Sequence, residues 1–402
     1  MDYTDLNSFL KLGYFLNTNN DKFNLISDFQ QTDYKTLTES ELKIIGKEKY
    51  RNAISSQFNS SDTQLLPISG GLDSRGLLGG LLELTEAKNI NTFTFGVPGT
   101  FDFDIGNYIA KQAGTNHTSY NLNDYAYSLN ELIDISRRSN HQTLLFHNQP
   151  VWDTQSRFEN NKIWSGVSIE SWFGSHVKQY HSQTSLESHK QNFILDNVFV
   201  NSIDLTNIED IEYNNLIESN WDDRIPLEIR IDLLNRQSKF ILPNVLVNGF
   251  DYKVLFYDAN LIDFALSLPR KYLINRNFYH KLLFDTFPYL FKLPYKNNYG
   301  LPLYANNNKI KLRRAFYKIK SLFPNSLSPF TNYIDFNEGI RNRKDLNTII
   351  YSSVMDLKER KIVDWIDIDN IWKRHINKES DHADALITLA SLEIHLKAGK
   401  IL

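Results

Sequence analysis

The alternation of apolar and polar positions divides the chain into two unlike halves. In the first half, Leu65 to Ile68 is an apolar run that predicts a short buried strand. The run stops at Ser69, where Gly70 and Gly71 predict a tight turn that a Cβ would obstruct. Leu72, Leu77, Leu78, Leu81 and Leu82 then recur at helical spacing. A second strand is expected in NTFTFGVPG, where Phe93, Phe95 and Val97 alternate with Thr94 and Gly96 before Pro98 and Gly99 break the run. DIGNYIAKQAG predicts a helix with Ile105, Ile109 and Ala113 inward and Gly114 as its cap, and HTSYNL a third strand. Upstream, LNSFLKLGYFL reads as a short helix, and Thr38 with Glu41 forms a capping-box pattern that opens a helix to about Phe58. Downstream, a helix is expected from Asp124 to about Arg138, and KIWSGVSIESWFGS as a strand ending in a turn at Gly166.

After about residue 181 the alternation ends. Helical spacing dominates in IRIDLLNRQSKFILPNVL, NLIDFALSL, YHKLLFDTF and ALITLASLEIHLKAGKIL, and no alternating strand is expected. The pattern therefore predicts an α/β fold, a parallel sheet with helices on both faces, followed by a mainly helical C-terminal half. We divide the chain into an N-terminal segment (1–45), an α/β region that carries the Gly-rich turn (46–180) and the helical part (181–402). No repeat or linker separates them, so they are expected to pack as one unit. In such sheets ligands sit outside the carboxyl ends of the strands, where the turn at residues 69–71 falls.

Composition narrows the partners. The 402 residues are 41% hydrophobic, enough for a sizeable core, and 44 basic against 47 acidic residues leave a net charge of −3. No block of like charge is long enough to follow a phosphodiester backbone, so nucleic acid is not an expected partner. No apolar run is long enough for a membrane span, and the N-terminus lacks a basic region followed by an apolar one, which predicts a cytoplasmic chain. The absence of cysteine excludes a disulfide, a thiolate metal site and a cysteine nucleophile.

A strand, a Gly-rich turn and a helix, in that order, present free backbone N–H groups to an anion. Ser69, Gly70, Gly71, Leu72, Asp73 and Ser74 are thus the candidate phosphate cradle, with the two serine hydroxyls as added donors. Asp73 would repel a phosphate unless a divalent cation lay between them, which points to Mg2+.

The turn SGGLDS resembles the PP-loop, SGGxDS, of the ATP pyrophosphatase superfamily; it lacks the GK[ST] ending of the Walker loop. The resemblance widens over most of residues 40–402. TFTFG with the downstream GTNH is similar to the SFSIG and G-T-x-H segments of the synthetase domain in the asparagine synthetase family. SGVSIESWFGS is similar to that family's SGDGADELFGG, and DYKVLFYD and KNNYGLP to its E-x-R-x-P-F-x-D and K-x-G-F-x-x-P. It implies an adenine nucleotide alpha hydrolase-like fold that binds ATP and Mg2+ and cleaves ATP between the α- and β-phosphates. By the same resemblance Asp73 and Glu170 hold Mg2+, Phe95, Gly96 and Gly166 line the adenine pocket, and Lys296 is catalytic at the α-phosphate. Asp251 would orient or deprotonate an amine, assisted by Tyr252. Arg75 is open between a phosphate or carboxylate contact and a helix-flank ion pair, and His117 reads as structural.

The implied activity is an AMP-forming carbon–nitrogen ligase. A carboxylate attacks the α-phosphate, an acyl adenylate forms with release of pyrophosphate, and an amine displaces AMP. Three departures from the family pattern matter. Val167 replaces the first acid of the third motif, and Asp251 and Lys253 stand for a glutamate and an arginine, which argues against aspartate as the substrate. No cysteine is present for glutamine hydrolysis, and LNSFLKLGYFL resembles the trailing end of a glutaminase domain, so the amine is expected from ammonia, a separate protein or a second substrate. The carboxylate would be a small molecule or a glycan, such as a sugar acid of surface polysaccharide biosynthesis. A peptide- or lactam-forming cyclase, a PP-loop nucleic-acid-modifying enzyme and a non-catalytic relative are the alternatives.

Overall fold

The computed structural model describes residues 3–18, 30–147, 162–178, 185–323 and 327–401. At its centre five strands, β1 (Gln64–Pro67), β2 (Ile90–Gly96), β3 (Asn116–Asn121), β4 (Lys162–Ser165) and β5 (Asp251–Val254), form one parallel sheet in the spatial order β3-β2-β1-β4-β5. Every neighbouring pair is parallel, with Leu65 opposite Asn91 on one side and Ile163 on the other. The first three strands run outward in one direction, and the chain then returns to the other side of β1. The order of connection thus reverses between β1 and β4, which opens a crevice at their carboxyl ends.

The described helices include α1 (Tyr3–Leu12), α2 (Glu39–Ser55), α3 (Asp73–Leu82), α4 (Phe101–Ala113), α5 (Leu129–Arg138), α6 (Asn277–Thr286), α7 (Asn307–Lys320), α8 (Lys344–Arg360) and α9 (Ala383–Lys397). The expected capping box begins α2: the Glu41 N–H donates to Thr38 Oγ1 and the Thr38 N–H to the Glu41 carboxylate. Gly114 ends α4 at φ 76, the left-handed cap its position predicts. Leu66 and Trp164 join the apolar layer of α2, α3 and α6 on one face of the sheet. A second layer gathers α1, α5, α8 and α9, with α9 buried nearly all round. Inside it Glu393, fully buried, accepts two hydrogen bonds from Arg360, at 2.6 and 3.0 Å. A buried carboxylate without such a partner would carry a heavy desolvation cost.

Three expectations need correction. The second half does contribute a strand: β5 joins the sheet beside β4, so the helical part is built onto the sheet rather than following it. Its four residues are too few for an alternation to stand out. The helical pattern of IRIDLLNRQSKFILPNVL includes a ten-residue π-helix, Asp232–Ile241, whose wider turn carries a different side-chain register from the α period. Gly70 and Gly71 are absent from the positive-φ positions, so they are not required for an unusual dihedral. What excludes a side chain at residue 70 is crowding, since a Cβ there would lie 2.9 Å from the Phe101 carbonyl oxygen. Smaller shifts are a start of α4 at Phe101, ahead of the expected DIGNYIAKQAG, and of α5 at Leu129 rather than Asp124.

Candidate functional site

A cavity of about 480 Å3 lies at the carboxyl ends of β1 and β4. Ser69, Gly71, Leu72, Asp73, Ser74, Phe95, Gly166, Glu170 and Lys296, drawn from segments far apart in sequence, all line it. Gly70 lies just behind the wall and contributes backbone. Its N–H donates to Asp102 Oδ1 at 3.1 Å and its carbonyl accepts from the Lys296 N–H at 3.2 Å. Gly96 turns the chain at the end of β2 with φ 149, beside Phe103 and outside the lining. Gly166 lets the end of β4 approach Asp73, because a Cβ there would lie 2.8 Å from the Asp73 Cβ.

Asp251 and Tyr252 are not brought to this site. Asp251 is the first residue of β5 and faces Lys162 across the sheet, so it stands at the amino end of the strands, opposite the cavity. Its carboxylate is 58% exposed and pairs with the Lys162 ammonium. Tyr252 packs against the cluster of Leu65, Phe93 and Ile163 within the sheet. The expectation that the pair handles an amine therefore lacks the proximity it needs, because β5 runs in register with β4 and carries its first residues away from the carboxyl ends.

Charge in the cavity is concentrated. Asp73 lies in the first turn of α3 and accepts a hydrogen bond from Tyr279 Oη at 2.8 Å. Protein surrounds its carboxyl on every side but the cavity, and burial followed by the nearby Glu170 carboxylate pushes its pKa well above the usual range. Arg276 pairs with Glu170, and the Arg276 and Lys296 charges moderate the shift at Asp73. Arg276 stands at φ 60 directly after Asn275 at φ 54, two left-handed residues that turn the chain into α6. Lys296 Nζ is 3.0 Å from Asp102 Oδ2, so one carboxylate holds both the Gly-rich turn and the lysine. Tyr333, its pKa pushed up to about 12 by burial and by Asp102, lies against Phe95 with ring centroids 6.2 Å apart.

Arg75 resolves differently from both expectations. It is fully buried and donates to the carbonyls of Leu290, Leu293 and Pro294, at 3.2, 3.3 and 2.6 Å, the last two residues before Tyr295 and Lys296. Burial lowers its pKa to about 10. Its guanidinium thus fastens the lysine-bearing segment to α3, the helix that starts at Asp73. His117 is held by Thr92 and Asn107 within the sheet layer, as a structural residue would be.

A second polar chamber of about 350 Å3 adjoins the first and shares Asp73, Glu170 and Arg276 with it. The π-helix supplies Arg236 and Gln237 to its wall, opposite Ser168, Ser171, Ser175 and His176. Buried Asp232 stands behind, 3.3 Å from His176 Nε2 and 3.1 Å from Gln237 Nε2, and Ser168 Oγ donates to Gln237 Oε1 at 2.8 Å. Asp102, Arg276, Tyr279, Tyr333 and this chamber were not identified from sequence. The available signals were slight: an acid at the start of a helix, and the polar INRN between two apolar helical patterns.

Among the described residues no group of three or more histidine, cysteine or acidic side chains could by itself hold a metal ion. Two carboxylates lining the same cavity, one of them with a raised pKa, do fit a hard divalent cation whose remaining ligands would come from elsewhere, such as phosphate oxygens and water. Among the described residues, too, no helix is long and apolar enough to cross a membrane. No protein-family model matches the chain, and no curated protein sequence matches it. Fold and site therefore define a five-stranded parallel α/β chain with a charged cavity at its switch point.

Proposed function

We propose that the chain is an ATP-dependent, AMP-forming amide ligase of the PP-loop, asparagine synthetase-like kind. One observation carries the reading: SGGLDS, the Glu170 segment and the Lys296 segment, each picked out by resemblance, line a single cavity at the switch point of the sheet. Unrelated surface motifs would have no reason to converge there. The nucleotide lies with its phosphates on the turn at residues 69–74 and its base toward Phe95 and Gly166. Asp73 and Glu170 would hold Mg2+, which when bound would supply charge neutralisation at the phosphates. Lys296 exchanges the Asp102 carboxylate for the α-phosphate and stabilises the charge that builds on it as the carboxylate attacks. The adjoining chamber, with Arg236, His176 and three serines, receives the carboxylate to be activated. Its hydroxyls and cations suit a polar acid better than an apolar one. The amine is ammonia or a substrate amine, since the chain has no thiol for glutamine hydrolysis.

The test is product analysis with MgATP, ammonium and a panel of carboxylates that includes sugar acids and amino acids. AMP and pyrophosphate, formed only with a particular carboxylate, support the proposal. ADP and phosphate as products would sink it.

A further inference from the structure

Among the described residues, α7 is a long helix that buries none of its side chains. Its sequence, NNKIKLRRAFYKIK, contains six cations (Lys309, Lys311, Arg313, Arg314, Lys318 and Lys320) and no carboxylate, in a chain whose net charge is −3. Among the described residues no carboxylate pairs with any of the six. At about 100° per residue, Leu312, Phe316 and Ile319 fall on one face. They are 71%, 58% and 59% exposed, and the next turn adds Leu322 and Phe323, also exposed. Lys309, Arg313 and Lys320 border this stripe on one flank and Lys311 and Lys318 on the other. The opposite face carries Tyr317, which meets Phe101 and Tyr299 at ring distances of 5.2 and 6.0 Å. The helix is thus attached to the protein by its back, and its apolar stripe is exposed, with Leu312 and Phe316 walling an open groove beside Leu301.

We propose that α7 docks the protein on an anionic membrane surface. The apolar stripe enters the boundary between headgroups and acyl chains, and the flanking lysines and arginines lay their stems along it with their charges on lipid phosphates. Charge complementarity decides the occupant. A nucleic acid would engage the cations and leave three large apolar side chains in water. A second copy docking helix to helix would bring like charges together without a carboxylate between them. Fourteen residues are too few to span a bilayer, so the helix lies in the surface. Phe101, which Tyr317 touches, neighbours Asp102 of the cavity, so docking also holds the cavity close to the lipid.

The experiment is co-sedimentation of the full chain with vesicles of phosphatidylcholine alone and of an equimolar mixture with phosphatidylglycerol, at low and high salt. We expect binding to the mixture only, weakened by salt. Withdrawing each apolar side chain should lower the partition about tenfold, so Leu312→Ser, Phe316→Ser and Ile319→Ser together should abolish it. Lys309→Gln, Lys311→Gln or Lys318→Gln should each lower it about fivefold on the anionic vesicles. These positions are exposed, and an unchanged melting temperature checks that each variant folds. The proposal is overturned if the wild-type chain ignores the anionic vesicles, binds both vesicle types equally, or binds as before with the triple variant. Self-association by light scattering that the triple variant removes, without vesicle binding, would assign the face to a second copy instead.

Discussion

The two ends of the one sheet treat charge in opposite ways. At the amino ends, Lys162 pairs with Asp251, and Lys253 pairs with Asp62 at 2.6 Å while lying over the Trp164 ring. Each charge there has one partner. At the carboxyl ends, Asp73, Glu170, Asp102, Arg276 and Lys296 crowd one cavity, and burial together with the Glu170 carboxylate raises the Asp73 pKa. One-to-one pairing leaves nothing for a ligand to satisfy, and at the exposed Asp251 it adds little stability. Crowded carboxylates in a cleft are costly to the protein alone and are relieved by a cation, which is why perturbed groups mark functional sites. The contrast also explains why Asp251, plausible by motif, ends up as half of a surface ion pair.

Four experiments bear on this contrast. The largest effect is expected from Arg75→Met, which removes the buried guanidinium beneath the carboxyl end and its hydrogen bonds to the carbonyls of Leu290, Leu293 and Pro294. The expected loss is about 3–5 kcal/mol, read as a lower urea midpoint at constant slope. A midpoint equal to wild type would mean that the Lys296 segment holds its place unaided. Lys296→Met comes next: turnover should drop about 100-fold to 1000-fold while ATP affinity by calorimetry changes little. Near-normal turnover would remove the lysine from the chemistry. Glu170→Gln should raise the magnesium concentration needed for ATP binding by at least about tenfold. A superimposable magnesium titration would leave Arg276 as the only partner Glu170 has. The smallest effect belongs to the opposite end, where Asp251→Asn should cost less than about 1 kcal/mol and leave activity unchanged. A large loss of activity there would dissolve the distinction between the two ends.

Much of this arrangement is written locally in the sequence. The first three strands and their helices follow from apolar spacing, and the Thr38 and Gly114 caps from single residues. The Gly-rich turn is legible for the same reason: its glycines, serines and acid lie within six consecutive residues. The illegible part depends on contacts between distant segments. Asp102 acquires its role only when α4 packs beside the turn and the Lys296 segment crosses both. Arg75 reads as a surface or ligand-binding residue until the carbonyls of residues 290–294 are brought to it. Asp251 and Lys253 match a motif by order and spacing, but strand register decides which end of the sheet they occupy, and register is a property of pairing, not of the segment. The π-helix defeats a reading based on a period of 3.6 because its own period is longer.

That π-helix also makes chain length a variable of the site. Its backbone bonds skip one residue more per turn than those of an α-helix, so residues 232–241 accommodate extra chain without lengthening the loops at either end. Removing one residue would let the segment tighten toward α geometry, turning side chains within it by up to about 100° while the elements on either side keep their places. Arg236 and Gln237 would turn away from the chamber, and the hydrogen bonds from Gln237 to Asp232 and from Ser168 to Gln237 would part together. A deletion there would reshape the chamber, with the turn at residues 69–74 untouched. Chains that differ by a single residue in this stretch would then share the turn at residues 69–74 and differ in the chamber beside it.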